Sequence, residues 1–265
     1  MPITSLDAPI DLNFLRSCLV DAGQMALTQR GQMVAEVKAD LSPVTAVDRQ
    51  VETFLIERIA AHYPSHQVLS EESGLHPHDK EFTWVIDPID GTRSFASGLP
   101  IWGISIGVFY QDEPHAGGLY LPVTREMYWG TRSQAFYNEQ PIPPVRSVDL
   151  DSPLVFLAVP SNFHLHFDIT YPRQRSMGST AAHLAYTATR AAVGTLMGTV
   201  SLWDVAGLLP VLAAVGIEFG ALSGRAFHPV EMMDGKTARE PLIAAHPSVI
   251  NILRESIHEK RDSGQ

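Results

Sequence analysis

The stretch WVIDPIDGTRSF, residues 84–95, decides how this chain is read. An apolar run stops at Asp87, Pro88 follows, and a second carboxylate, Asp90, arrives just before Gly91 and Thr92. Proline disfavours helix at the residue before it, so FTWVI reads as a buried strand that turns at Asp87. Asp90 is then placed to open a helix, with Gly91 allowing close backbone approach. Two carboxylates at one strand end repel each other unless a cation neutralises them. The amides of Gly91 and Thr92, at a helix N-terminus, offer a cradle for phosphate. Carboxylates for Mg²⁺ beside amides for phosphate are two halves of one phosphoester site. The competing reading is structural, with Asp90 as a helix cap and Asp87 as a turn residue.

Upstream of this stretch, residues 10–29 have the spacing of an amphipathic helix, with Leu15, Cys18, Leu19, Ala22, Met25 and Ala26 on one face. A second helix is predicted over 46–61 through Val51, Phe54, Leu55 and Ile59, and Pro64 stops it. At its start, in SPVTAVD, Thr45 followed by Asp48 resembles a capping box. The alternative puts Asp48 beside a hydroxyl, in a proton network that positions a water. The short apolar stretch QVLS then ends in the acidic pair Glu71 and Glu72.

Downstream, residues 102–110 alternate with period two: Trp102, Ile104, Ile106 and Val108 on one face, Gly103, Ser105 and Gly107 on the other. GGLYLP and MYWG complete an antiparallel meander. PIPPVRS, 141–147, is the most linker-like segment. It separates an N-terminal α+β lobe, 1–145, from a C-terminal α/β lobe, 146–265. The second lobe is expected to hold a strand (LVFLAV), a small-residue helix over 179–193 and a strand ending at LWD. A helix (VAGLLPVLAAVG) and a C-terminal helix (PSVINILRESI) follow. Glu71 and Glu72 also read as a solvated turn and Asp204 as a helix cap. Yet four acid sites, at Asp48, Glu71–Glu72, Asp87–Asp90 and Asp204, fall at strand-to-helix transitions, and in layered α/β folds such loops converge on a crevice.

Bulk properties narrow the function. The chain has 265 residues, 19 basic against 29 acidic, and a net charge of −10, so no basic face for nucleic acid is advertised. An acidic protein that handles anionic substrates needs a local positive charge, and a metal supplies one. No apolar run approaches the roughly 18 residues that span a bilayer. MPITSLDAPIDL shows no basic region followed by an apolar stretch, so no export signal is expected. The single cysteine, Cys18, fits a reducing cytoplasm. The histidines show no metal-binding spacing, and His76 and His78 read as members of a solvated loop.

KADLSPVTAVD, SEES, WVIDPIDGTRSF and LWDVAG, in this order and spacing, resemble the inositol monophosphatase family of Mg²⁺-dependent, lithium-sensitive phosphatases. The resemblance implies an α-β-α-β-α sandwich like that of inositol monophosphatase and fructose-1,6-bisphosphatase, usually a homodimer. It makes Glu71, Asp87, the Ile89 carbonyl, Asp90 and Asp204 metal ligands for roughly two or three Mg²⁺ ions. Glu71 also helps activate the attacking water, and Thr92 with Asp48 orients it. The Gly91 and Thr92 amides hold the phosphate, and Gly178 and Ser179 belong to a substrate-side loop. The implied activity is hydrolysis of a small alcohol phosphate such as inositol monophosphate or histidinol phosphate. Rivals are a 3′(2′),5′-bisphosphate nucleotidase, a fructose-1,6-bisphosphatase, or a regulatory protein-binding relative. Asp87 and Asp90 lie too far apart for an aspartyl-phosphate phosphatase, which needs DxD after its strand.

Some residues depart from the family pattern. Ser70 replaces the glycine that usually precedes the Glu pair. Met197, seven residues before Asp204, stands where inositol-specific members carry a sugar-gripping Glu, and a thioether side chain does not grip a ring hydroxyl. AVGIEFGAL replaces the usual EAGG, while GTRSFASGLPIWG and Pro210 lean toward branches that include histidinol-phosphate phosphatases.

Overall fold

In a computed structural model of the chain, residues 10–30, 36–37 and 43–260 are described. The segment KADLS lies outside them. Helix α1 (Leu12–Gln29) starts at Asp11, whose Oδ1 accepts from the amides of Asn13 at 2.8 Å and Phe14 at 3.2 Å. A two-stranded hairpin, β1 (Glu36–Val37) and β2 (Pro43–Val44), leads into α2 (Ala46–His62). The two helices bury the apolar faces read from the sequence, Leu15, Cys18, Leu19, Ala22 and Ala26 on α1 and Val51, Leu55 and Ile59 on α2.

Those faces cover one side of an eight-stranded sheet. Its strands are β3 (His66–Ser70), β4 (Gly74–His76), β5 (Asp79–Asp90), then, beyond the short helix α3 (Thr92–Ala96), β6 (Gly103–Tyr110), β7 (Glu113–Leu121), β8 (Glu126–Thr131), β9 (Ala135–Tyr137) and β10 (Gln140–Ile142). The spatial order is β10-β9-β8-β7-β6-β5-β3-β4, with β3 and β5 parallel and the other neighbours antiparallel. Alternation sorts its side chains: Trp84, Ile86, Ile104, Ile106 and Val108 pack with α1 and α2, and Val85, Phe109, Leu119 and Leu121 point the other way. Each fully buried aliphatic or aromatic side chain of this kind contributes about 1.5–3 kcal/mol.

The second half supplies β11 (Phe156–Ala158), α4 (Phe163–His166), β12 (Phe167–Ile169), β13 (Gln174–Arg175), α5 (Thr180–Ala188), β14 (Ala192–Met197), α6 (Trp203–Ala206), α7 (Leu209–Val215), β15 (Glu218–Ala221), β16 (Leu242–Ala245), α8 (Ile250–Glu255) and β17 (Ile257–Glu259). A five-stranded sheet runs β13-β11-β14-β16-β15, and β12 pairs with β17. Helices α5, α6 and α7 lie between the two sheets, and α8 covers the outer face of the smaller one. This is the α-β-α-β-α sandwich expected from the sequence. No helix among the described residues is long and apolar enough to cross a membrane.

Several expectations are corrected. Strand β5 does not stop at Asp87 but continues to Asp90, with a register shift against β6 between the two acids. Pro88 sits in that irregularity, where no ladder hydrogen bond is required of it. The helix expected over 179–193 ends at Ala188, and Ala192–Met197 is a strand that carries the β-branched Val193 and Thr195. The strand expected to end at LWD ends at Met197, so Asp204 lies on a short helix rather than at a strand end. The helix expected from Val205 to Gly216 breaks after Ala206 and restarts at Leu209, with Pro210 in the first turn where its missing N–H costs nothing. The C-terminal helix is confined to Ile250–Glu255, because Ile257 already belongs to β17.

The glycine face of β6 and β7 has a specific use. A Cβ on Gly107 would lie 2.6 Å from the carbonyl carbon and oxygen of Ala206, and one on Gly117 would lie 2.6 Å from the oxygen of Gly207. Helix α6 therefore rests directly on the sheet backbone, which sets the depth of Asp204. Gly107→Ala is expected to destabilise the fold by about 1–3 kcal/mol through overpacking and to displace Asp204. Urea unfolding checks the first effect, and the affinity of the folded variant for Mg²⁺ checks the second.

Candidate active site

The bulged end of β5 and the lowered α6 bring three acids together. Asp87, Asp90 and Asp204 place carboxylate oxygens within 4.8 Å of one another. Two unit charges about 4 Å apart repel by about 4 kcal/mol at an effective dielectric constant near 20. A turn residue and two helix caps would not need to be so crowded. Burial pushes the Asp87 carboxyl well above the usual carboxylate range, and the charges of Glu71, Asp90, Asp204 and Asp48 push it further. Asp90 is raised by burial against the opposing hydrogen bonds of Ser179, Ala181 and Thr180. Asp204 is raised by burial, against the Ser201 amide and with the charges of Asp90 and Glu71. A cluster of hard oxygen donors whose ionised form is disfavoured only by burial and mutual repulsion suits a hard divalent cation such as Mg²⁺.

Each acid is also held from behind. Asp87 Oδ1 accepts from the Ile89 amide at 3.1 Å. Asp90 does not cap α3. Its Oδ2 accepts from Ser179 Oγ, and its Oδ1 from the amides of Thr180 at 3.2 Å and Ala181 at 3.3 Å, at the start of α5. Asp204 Oδ2 accepts from the Ser201 amide at 2.6 Å.

Asp48 caps its helix and also meets the hydroxyl of Thr92. The capping box is formed: Asp48 Oδ2 accepts from the Thr45 amide at 2.8 Å and from Thr45 Oγ1 at 2.5 Å. Its other oxygen, Oδ1, accepts from Thr92 Oγ1 at 3.2 Å, and that hydroxyl also lies 3.1 Å from the Ile89 carbonyl oxygen. Asp48 is fully buried, and burial raises its pKa against the hydrogen bonds of Thr45 and Thr92.

Gly91, the N-cap of α3, has φ 91°, and no side chain caps that helix. A Cβ there would lie 2.7 Å from the Gly178 oxygen, so the two loops meet backbone to backbone. Ser94 Oγ donates to the same Gly178 oxygen at 3.4 Å. Glu71, Asp90, Thr92 and Asp204 line one cavity of about 910 Å³, together with Gly178, Ser179 and Met197. The structure thus gathers every site residue read from the sequence around one cavity or immediately behind its wall.

Two stacked sheets, with three acids delivered to one point by β5 and α6, define a layered α/β protein with a candidate metal centre. The family model of the inositol monophosphatase family matches residues 12–259, and the chain belongs to that family. It is 28% identical over 219 residues to the fructose-1,6-bisphosphatase/inositol-1-monophosphatase of Aquifex aeolicus, covering 78% of this chain and 83% of the relative. It is 31% identical over 217 residues to the histidinol-phosphatase of Chlorobaculum parvum, again covering 78% and 83%. The crystal structure of the extragenic suppressor protein suhB from Bartonella henselae superimposes with a TM-score of 0.80 at 21% identity, covering 92% of this chain and 97% of that one. Family membership and the names of these relatives support a phosphatase.

Two residues near the site escaped sequence reasoning. Glu52, on α2, is buried beneath the β3 end, and its only signal was a position one turn after Asp48. His183 lies inside α5, 4% exposed, where a small-residue helix gave no hint of a role. Its Nε2 accepts from the Met177 amide at 2.9 Å, which ties down the loop that carries Gly178 and Ser179. Burial depresses its pKa to about 4, whereas an unfolded histidine titrates near 6.5. Between those values the unfolded chain binds more protons, so this contribution is complete above pH ~6.5 and is lost as pH falls toward 4. The stability advantage of the unmodified protein over His183→Asn is expected to shrink by about 3 kcal/mol from pH 7 to pH 4. Urea midpoints of both proteins across that range check the sign and the size.

Proposed function

We propose that the protein is a Mg²⁺-dependent phosphomonoesterase that hydrolyses a small alcohol phosphate with a metal-activated water. The observation that carries this reading is the Asp87–Asp90–Asp204 cluster beside the Asp48–Thr92 pair, at one cavity. Glu71, Asp87, the Ile89 carbonyl, Asp90 and Asp204 would hold the ions. When bound, Mg²⁺ supplies positive charge to the phosphate and lowers the pKa of a coordinated water. Thr92 has a single hydroxyl proton, and it faces Asp48 and the Ile89 carbonyl. Its free lone pair can therefore only accept from a water, which turns the water's own lone pair outward. Asp48, fixed by Thr45, keeps the threonine in that state. The Gly91 and Thr92 amides would hold the phosphate oxygens, and Gly178 and Ser179 the ester side. The homodimer and the cytoplasmic setting belong to the same proposal.

The substrate is read from the cavity wall. Met197, 2% exposed, gives that wall an apolar patch where a polyol would need a hydrogen-bond partner. Arg93 and Arg239 also line the cavity, both exposed and neither in an ion pair or side-chain hydrogen bond among the described residues. They favour a second reading, a bisphosphate ester, over histidinol phosphate with its cationic amine.

Phosphate release from inositol 1-phosphate, histidinol phosphate, fructose 1,6-bisphosphate and adenosine 3′,5′-bisphosphate, with and without Mg²⁺, tests both readings. Release that chelation abolishes is expected, and none from any ester would overturn the assignment. Asp90→Asn should abolish turnover while the circular dichroism spectrum stays unchanged. Thr92→Ala should lower kcat by about 10²–10⁴-fold with little change in KM. Millimolar Li⁺ is expected to inhibit, and a dose–response against Mg²⁺ checks it.

A further inference from the structure

The metal-dependent reading puts Glu71 among the ion ligands, yet Glu71 stands just beyond the end of β3, outside the strand ladder. We propose that Glu52 is the positioning residue that fixes Glu71 for the cation, an inference that rests on the metal-dependent reading above. Glu52 lies on α2, four residues after Asp48, and residues so spaced share one helix face. Asp48 is fully buried and Glu52 is 4% exposed. A buried carboxylate is tolerated only where donors satisfy it.

The two donors of Glu52 flank Glu71. Glu52 Oε2 accepts from Ser70 Oγ and, at 2.9 Å, from the amide of Glu72. The residue before Glu71 and the residue after it are therefore both tied to one oxygen of one helix. Charge-assisted bonds of this kind are stronger than neutral ones and fix direction as well as distance. Joining α2 to the sheet does not require them. Ser70 is already in the ladders with β4 and β5, opposite Gly74 and Ile86. The Glu72 amide belongs to the turn beyond the strand, and orienting that turn orients Glu71.

Ser70 gives the arrangement its second tether. A glycine at this position would offer no hydroxyl, so the serine read from the sequence as a departure is a working part of the site. Helix α2 then acts as a ruler. Asp48 reaches Thr92, on the water side, and Glu52 reaches the Glu71 turn, on the metal side. The spacing between the two is set by one helical turn, about 6 Å for four residues. Removing a group that orients a metal ligand typically weakens metal affinity by about 10–100-fold.

The test is direct Mg²⁺ binding to the whole protein by titration calorimetry, without substrate, for the unmodified chain, Glu52→Ala, Glu52→Gln and Ser70→Ala. Glu52→Ala is expected to raise the Mg²⁺ Kd by about 10–100-fold, with the KM for the ester at saturating Mg²⁺ changed less than about twofold. Glu52→Gln, whose carbonyl oxygen can still accept from both donors, should recover most of the affinity. Ser70→Ala should lose at least about threefold, a partial effect, since one tether of the pair remains. A folded Glu52→Ala with unchanged Kd would overturn the proposal. If that variant does not fold, an unchanged Kd in Ser70→Ala overturns it instead. Failure of the unmodified protein to bind Mg²⁺ would overturn this inference and the functional reading together. Mg²⁺ binding that weakens as described, with no ester hydrolysed, would sink the functional reading and leave the tether standing.

Discussion

Everything in this molecule is arranged around a repulsion. Asp87, Asp90 and Asp204 hold their oxygens within 4.8 Å of one another, and left to themselves carboxylates so placed would move apart or take up protons. The fold prevents the first by holding each acid with its own donor: the Ile89 amide, the Ser179 hydroxyl with the first amides of α5, and the Ser201 amide. It also seats α6 on glycines, so that the third acid arrives at the level of the other two. What remains is a concentrated negative potential at the cavity wall, of the kind that a divalent cation would neutralise.

The parts of this design that depend on periodicity were legible in the sequence. The faces of α1 and α2, and the alternation of β6, follow from side chains that must be buried, and burial repeats every 3.6 or 2 residues. The glycines at 103 and 107 were visible as the small side of an alternation, but the use of Gly107 was not, because it depends on the helix that lands on it. The acids of WVIDPIDGT were legible for another reason. Two carboxylates at one strand end repel each other unless a cation neutralises them, a cost that the competing reading as cap and turn residue leaves unexplained.

The errors have physical causes of their own. Asp204 was read as the end of a strand, yet GTVSL forms the loop between β14 and α6, and the Ser201 amide bonds Asp204. The break at Gly207 and Leu208 was missed because VAGLLPVLAAVG is apolar throughout, and a continuously apolar segment gives no phase by which to see an interruption. Glu52 and His183 were missed because a polar residue within a helix reads as solvated until its partner is known. Those partners are 18 to 20 residues away for Glu52 and six residues away, across a loop, for His183. Tethers of this kind are tertiary facts.

Asp48 shows why the structural and chemical readings of a residue need not compete. The capping bonds use one carboxylate oxygen and leave the other free to meet Thr92. A carboxylate that made only the contact to Thr92 would rotate about its own χ angles, and the threonine hydroxyl would follow it. Anchored through Thr45 at the start of a seventeen-residue helix, the same carboxylate has one orientation, and the hydroxyl has one direction left in which to accept a hydrogen bond. The same logic applies to Asp90, which organises the start of α5 while facing the cluster. A helix N-terminus suits a buried acid because that terminus favours an anion and its amides hold the acid still.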